Sequence, residues 1–93
     1  MTGERAGAVG ETPEIRLKRL GLRSWRRGTK EMDMILGPFS DAHLAALSPA
    51  DLDRYEQLLG ENDQDLYLWV SGQADPPGPH VPMIDRIKAS LSM

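Results

Sequence analysis

The chain contains no cysteine, which excludes disulfides, thiolate metal sites and cysteine nucleophiles and fits a reducing compartment. It also lacks any run of about eighteen apolar residues, so no segment reads as a membrane span. Aromatics are scarce, at 5%, and the alternating β-branched runs that mark strands are missing. Histidine is limited to His43 and His80. Asp41 and His43 lie two positions apart, which puts them on different faces of a helix. "GETPE" and "RRGTK" match neither phosphate-binding glycine pattern, and no serine sits in a nucleophile-elbow context. Glu61, Asp63 and Asp65 alternate as calcium ligands do, without the loop's glycine and terminal glutamate. They read instead as charge favoured at a helix N-terminus. These residues support no enzymatic activity, no metal site and no cofactor of the chain's own.

The first fourteen residues, "MTGERAGAVGETPE", lack the apolar segment of a secretory signal and hold three glutamates, a poor match to an arginine-rich presequence. They read as a flexible tail, residues 15–93 as one domain, and the expected location as the bacterial cytoplasm.

What is present is an ordinary globular composition, 40% hydrophobic and 27% charged over 93 residues, enough for one small core. The net charge of −3 hides an asymmetry. Residues 1–30 hold eight basic against three acidic side chains, and residues 31–93 hold three against eleven. Three explanations are open: nucleic acid, an acidic partner, or two ends that neutralise each other in the fold.

Helical punctuation is abundant. Ile15, Leu17, Leu20, Leu22 and Trp25 form a basic amphipathic segment. A second segment runs from Thr29 to Leu47, and its Gly37-Pro38 predicts a kink or two helices in series. "SPADLDRYEQLLG" opens with Ser48 as cap and Pro49 at the first helical position. It buries Leu52, Tyr55 and Leu59 and stops at Gly60. "NDQDLYLWVSG" repeats the grammar, with Asn62 as cap, Leu66, Trp69 and Val70 inward, and Gly72 as stop. After the proline-rich "QADPPGPHVP", a last helix places Ile84, Ile87 and Leu91 on one face. The class is all-α, a compact bundle of about five short helices.

One stretch breaks these rules. In "WRRGTKEMDMILGPF", three cations (Arg26, Arg27, Lys30) precede a helix whose positive end prefers anions, with Gly28 among them. With Gly28 as the cap, Glu31 falls at the N3 position and reaches back to the cap amide, while Arg27 lies outside the helix and points away from it. A second protein could then lie on the bare glycine backbone, gripped by Arg27 and Glu31. A plain helix junction with solvated charges accounts for the same residues.

Arg27, Gly28 and Glu31 form an Arg-Gly-x-x-Glu motif followed by "MDMILGPF" and, further on, by Asp65, Leu66, Tyr67 and Trp69. In this order and spacing the stretches resemble the succinate dehydrogenase assembly factor 2 family. The resemblance implies a five-helix protein that binds the flavoprotein subunit of succinate dehydrogenase, in some bacteria also fumarate reductase, and promotes covalent FAD attachment there. It implies that FAD belongs to the client. It also implies that Arg27, Gly28 and Glu31, with Arg26, Lys30 and Asp33 nearby, form the contact surface. A monomer without nucleic-acid partner or membrane insertion is expected. Gly28→Arg and Glu31→Ala are expected to keep the helical fold and lower flavin attachment. Two rival readings stand beside this one: an antitoxin-like or nucleic-acid-binding regulator, the antitoxin role implied by the resemblance and nucleic-acid binding by the basic first half, and a structural homo-oligomer with no client.

Overall fold

The computed structural model describes residues 10–91, and among them it is helical without strands. Helix α1 spans Pro13–Trp25, α2 Lys30–His43, α3 Pro49–Leu59, α4 Asp63–Val70 and α5 Val81–Leu91, with 3₁₀ turns at Leu44–Ala46 and Gly78–His80. The expected all-α class and five-helix count hold. Residues 1–9 of the expected tail lie outside the described residues. The helix itself begins two positions earlier than expected, because Thr12 accepts the Ile15 amide and Pro13 supplies a preset first turn.

The caps explain where the other helices start. Ser48 accepts the Asp51 amide at 3.1 Å and Asn62 accepts the Asp65 amide at 2.9 Å, as the sequence predicts. Gly72 adopts φ 82° beyond α4, the left-handed conformation that glycine takes without steric cost. α2 departs from the sequence reading at two points. Its cap is Thr29, which accepts the Met32 amide, and not Gly28. Of the two alternatives offered at Gly37-Pro38, two helices in series do not form there: one helix runs through Pro38 to His43.

The core explains the second difference. Met32, Leu36 and Phe39 are buried along one side of α2, and the face holding Gly37 lies under the Trp25 ring. A Cβ built on Gly37 would sit 2.4 Å from that indole. The glycine lets α1 and α2 approach closely, and this packing over the length of α2 holds the helix together despite one missing backbone donor. The core also takes Leu20 from α1, Tyr55 and Leu58 from α3, and Leu66 from α4. Met83, Ile84 and Ile87 of α5 pack onto α2, α3 and α4. Leu91, expected on the buried face, is 50% exposed, because α5 reaches past the core at its last turn.

Tyr55 ties α3 to α1. Its hydroxyl lies 2.6 Å from the Ser24 hydroxyl, which itself donates to the Leu20 carbonyl at 2.8 Å. The Ser24 proton is therefore occupied, and Tyr55 is the donor. Burial pushes the Tyr55 hydroxyl up to about 12.

Charge asymmetry resolves in part inside the fold. Arg16 pairs with Asp53 at 2.6 Å and Glu56 at 3.2 Å. Arg19 pairs with Glu56 at 2.8 Å and Glu11 at 2.7 Å. Glu11, placed in the tail from sequence, thus holds the start of α1. The hydrogen bond from Arg19 holds the carboxyls of Glu11 and Glu56 below their ordinary range.

Candidate functional site

The chain turns sharply between α1 and α2, and the turn is the Arg-Gly-x-x-Glu corner. Its backbone amides at Arg27, Gly28 and Thr29 belong to no helix ladder and need acceptors. Two aspartates supply them. Asp33, one turn into α2, reaches back to the Arg27 amide. Asp63, at the first position of α4, accepts the Gly28 amide in a very short hydrogen bond and the Thr29 amide at 3.1 Å.

Arg27 closes the assembly. Its Nε donates to the other oxygen of Asp63 at 2.7 Å, and its two terminal nitrogens donate to the Leu59 and Glu61 carbonyls, each at 2.8 Å. Those carbonyls belong to the end of α3 and the link to α4, groups left without helical partners. One guanidinium therefore joins three elements, and only 10% of its side chain and 11% of that of Asp63 remain exposed. Arg27 does not point away into solvent, as expected from the sequence; it faces inward and is fully engaged.

Gly28 follows from this geometry. A Cβ there would fall 2.9 Å from the bound Asp63 oxygen, well inside van der Waals contact. Glycine is needed for the Asp63 carboxylate to reach the backbone, an internal reason for its presence. Gly28→Arg is therefore expected to strain the Asp63 contact as well as to change the outer surface. Glu31 does not reach back to the Gly28 amide, which goes to Asp63, since capping at Thr29 puts Glu31 at the second helical position. The carboxylate of α2 that does reach back is Asp33, to the Arg27 amide.

The outward half of the corner consists of Gly28, Thr29, Lys30 and Glu31, all exposed, with Arg26 exposed at the end of α1. Glu31 has no ion-pair partner among the described residues. It borders an open cleft of about 520 Å³ lined by Thr29, Glu31, Asp63, Gln64, Tyr67 and Leu68. Tyr67 and Leu68 leave 40% and 37% of their surface uncovered. The structure thus brings Arg27, Gly28, Glu31 and Asp33 together, but divides them into an internal clasp and an external acidic and apolar rim.

The histidines stand apart from this cleft. His80 is buried, 2.9 Å from a Glu61 oxygen and against the Trp69 ring. His43 packs on Phe39. Among the described residues no group of three His, Asp or Glu is placed to hold a metal ion, and no helix is long and apolar enough to cross a membrane.

Asp63 was assigned from sequence only to a helix dipole. Nothing in the sequence links it to Gly28, 35 positions earlier; the only clue is a corner with three amides and no nearby acceptor but Asp33. Tyr67 and Leu68 were equally hidden, because adjacent apolar residues on a short helix cannot both be assigned a face by periodicity.

Comparison with known proteins adds independent observations. Residues 18–91 match the model of the family described as "Flavinator of succinate dehydrogenase". The chain is 42% identical over 82 residues to a protein of Meyerozyma guilliermondii named succinate dehydrogenase assembly factor 2, mitochondrial, covering 88% of this chain and 58% of that one. Proteins of the same name from Scheffersomyces stipitis and Debaryomyces hansenii are 38% and 35% identical, over 87% and 88% of this chain and 52% and 55% of theirs. The chain spans little more than half the length of these relatives. Their names place them in mitochondria, which overturns the bacterial cytoplasmic location expected from the sequence.

Proposed function

Because the chain belongs to the family of flavinators of succinate dehydrogenase, we propose that it binds the flavoprotein subunit of that enzyme and promotes covalent attachment of FAD to it. The observation that carries this reading is the outward-facing half of the corner: Glu31 and the exposed Gly28 backbone beside a cleft with Tyr67 and Leu68, held rigid from below by Arg27 and Asp63. A rigid surface binds without ordering cost. An unpartnered carboxylate beside two uncovered apolar side chains suits a client segment with a basic and an apolar residue.

The role is that of an assembly factor and not of an enzyme. FAD and the residue it modifies belong to the client. The protein acts by binding more tightly to the client conformation in which attachment proceeds, which raises the population of that conformation. It does so as a monomer, and a fumarate reductase flavoprotein is a second client of the same chemistry. Within this reading Glu31 makes the contact, Arg26 and Lys30 flank it, and Arg27, Asp33 and Asp63 position it.

The test is to express the flavoprotein subunit with and without this chain and separate the products on denaturing gels scanned for flavin fluorescence. Fluorescence on the client should rise with the chain present. Equal fluorescence in both samples would overturn the reading.

A further inference from the structure

The asymmetry of charge leaves a remainder. Of the cations on α1 and the corner, Arg16, Arg19 and Arg27 are neutralised by Asp53, Glu56, Glu11 and Asp63. Lys18, Arg23, Arg26 and Lys30 have no carboxylate within ion-pair distance among the described residues, and of these four Arg23 and Arg26 share one groove. Together with Leu22 they line this groove of about 400 Å³, whose other walls are Arg19 and Arg27. Cations at the end of a helix are favoured by its dipole, so their presence alone needs no partner. Leu22 is different. It is 55% exposed in the middle of this basic surface, where the dipole gives no reason for an apolar side chain.

The position of the groove adds a second constraint. Arg27 forms part of its wall, and Asp63 forms part of the wall of the acidic cleft. These two side chains are in contact at 2.7 Å. One ion pair is therefore the partition between a basic, leucine-bearing groove and an acidic, Tyr67- and Leu68-bearing cleft. A surface of opposite signs on either side of a ridge selects a partner with the reversed pattern. It disfavours a nucleic acid, whose uniform phosphate charge would meet the unpaired Glu31 on crossing the ridge.

We infer that the groove of Leu22, Arg23 and Arg26 is a second docking surface for the client flavoprotein, taking a segment of that client with carboxylates beside an apolar side chain. The inference rests on the proposed function and extends it: the client spans the Arg27–Asp63 ridge, with acidic groups toward Arg23 and Arg26 and a basic group toward Glu31.

The experiment measures association of the flavin-free flavoprotein subunit with the wild-type chain, with Arg23→Glu/Arg26→Glu, and with Arg23→Lys/Arg26→Lys, at low and high salt. Arg23→Gln/Arg26→Gln, a milder pair, serves if the reversal lowers helicity. The reversed pair should associate about tenfold more slowly at low salt and recover as salt rises, because repulsion replaces attraction and is screened. The glutamine pair should lose most of its salt dependence, as expected when steering charges are removed. The lysine pair should stay near wild type. Wild-type rates and salt dependence in both the glutamate and glutamine pairs would overturn the inference while leaving the proposed function standing. No binding by the wild-type chain would overturn both. Binding to random duplex DNA that the reversal abolishes, with client association unchanged, would assign the groove to nucleic acid and overturn the inference.

Discussion

The Gly28 α-carbon and the Asp63 carboxylate stand so close that a methyl group on the glycine would lie 2.9 Å from the carboxylate oxygen. Gly28→Ala must push Asp63 aside, and Asp63 is also held by Arg27 and by the Thr29 amide. The methyl group therefore weakens several hydrogen bonds together. A loss of about 1–2 kcal/mol is expected, read as a lower midpoint in urea unfolding with unchanged slope. Arginine at this position should cost at least as much.

Asp63→Ala should be worse than Gly28→Ala. It leaves a guanidinium that is 10% exposed without its counter-ion and strips the acceptor from two corner amides. Breaking a largely buried pair from one side costs about 3 kcal/mol. The double-mutant cycle with Arg27→Ala should show strong coupling, because the double variant removes the uncompensated charge. Additive losses would mean that the two side chains act independently.

Gly37→Ala sets two principles against each other. In an exposed helix interior alanine gains about 1 kcal/mol over glycine. Here the new methyl group would meet the Trp25 ring at 2.4 Å, and overpacking of this kind costs about 1–3 kcal/mol. Net destabilisation is expected, with a change in Trp25 fluorescence as the indole is displaced from α2. A stabilised variant would show that the ring moves freely.

Acid should weaken the fold through Glu56. Hydrogen bonding from Arg19 holds its folded pKa below the ordinary value of 4.5, so the unfolded chain takes up this proton more readily. The contribution is complete above the unfolded value and disappears as pH falls through the lower folded one. Glu11 shifts in the same direction for the same reason. Glu56→Gln should lower the melting temperature at neutral pH and flatten its fall as pH drops below the ordinary carboxyl value of 4.5, followed by circular dichroism. At the alkaline end the sign reverses for Tyr55, whose folded pKa is raised: its contribution is complete below pH 10 and declines as pH rises towards about 12.

The helices were legible because their signals are local. Ser48 and Asn62 cap from within their own turn, and the stripes of Tyr55 and Leu59, and of Leu66, Trp69 and Val70, mark one face each. The continuity of α2 was not legible, because it depends on Trp25 packing on Gly37 and not on the proline's own cost. The corner was half legible. Its residues were identified from the motif, but Arg27 was given the wrong direction, since its acceptors, the Leu59 and Glu61 carbonyls and Asp63, lie more than thirty positions away. Backbone acceptors have no sequence signature at all.

The most direct test compares Glu31→Ala with wild type in two measurements on the same preparations: the melting temperature, and the Kd for the flavin-free flavoprotein subunit by calorimetry. Glu31 is exposed and supports nothing inside the bundle, so its melting temperature should be close to wild type. Its Kd should rise about tenfold, the loss of one charge-assisted contact at the centre of an interface. An unchanged Kd with the same melting temperature would contradict the account, because the outward half of the corner would then have no part in holding the client.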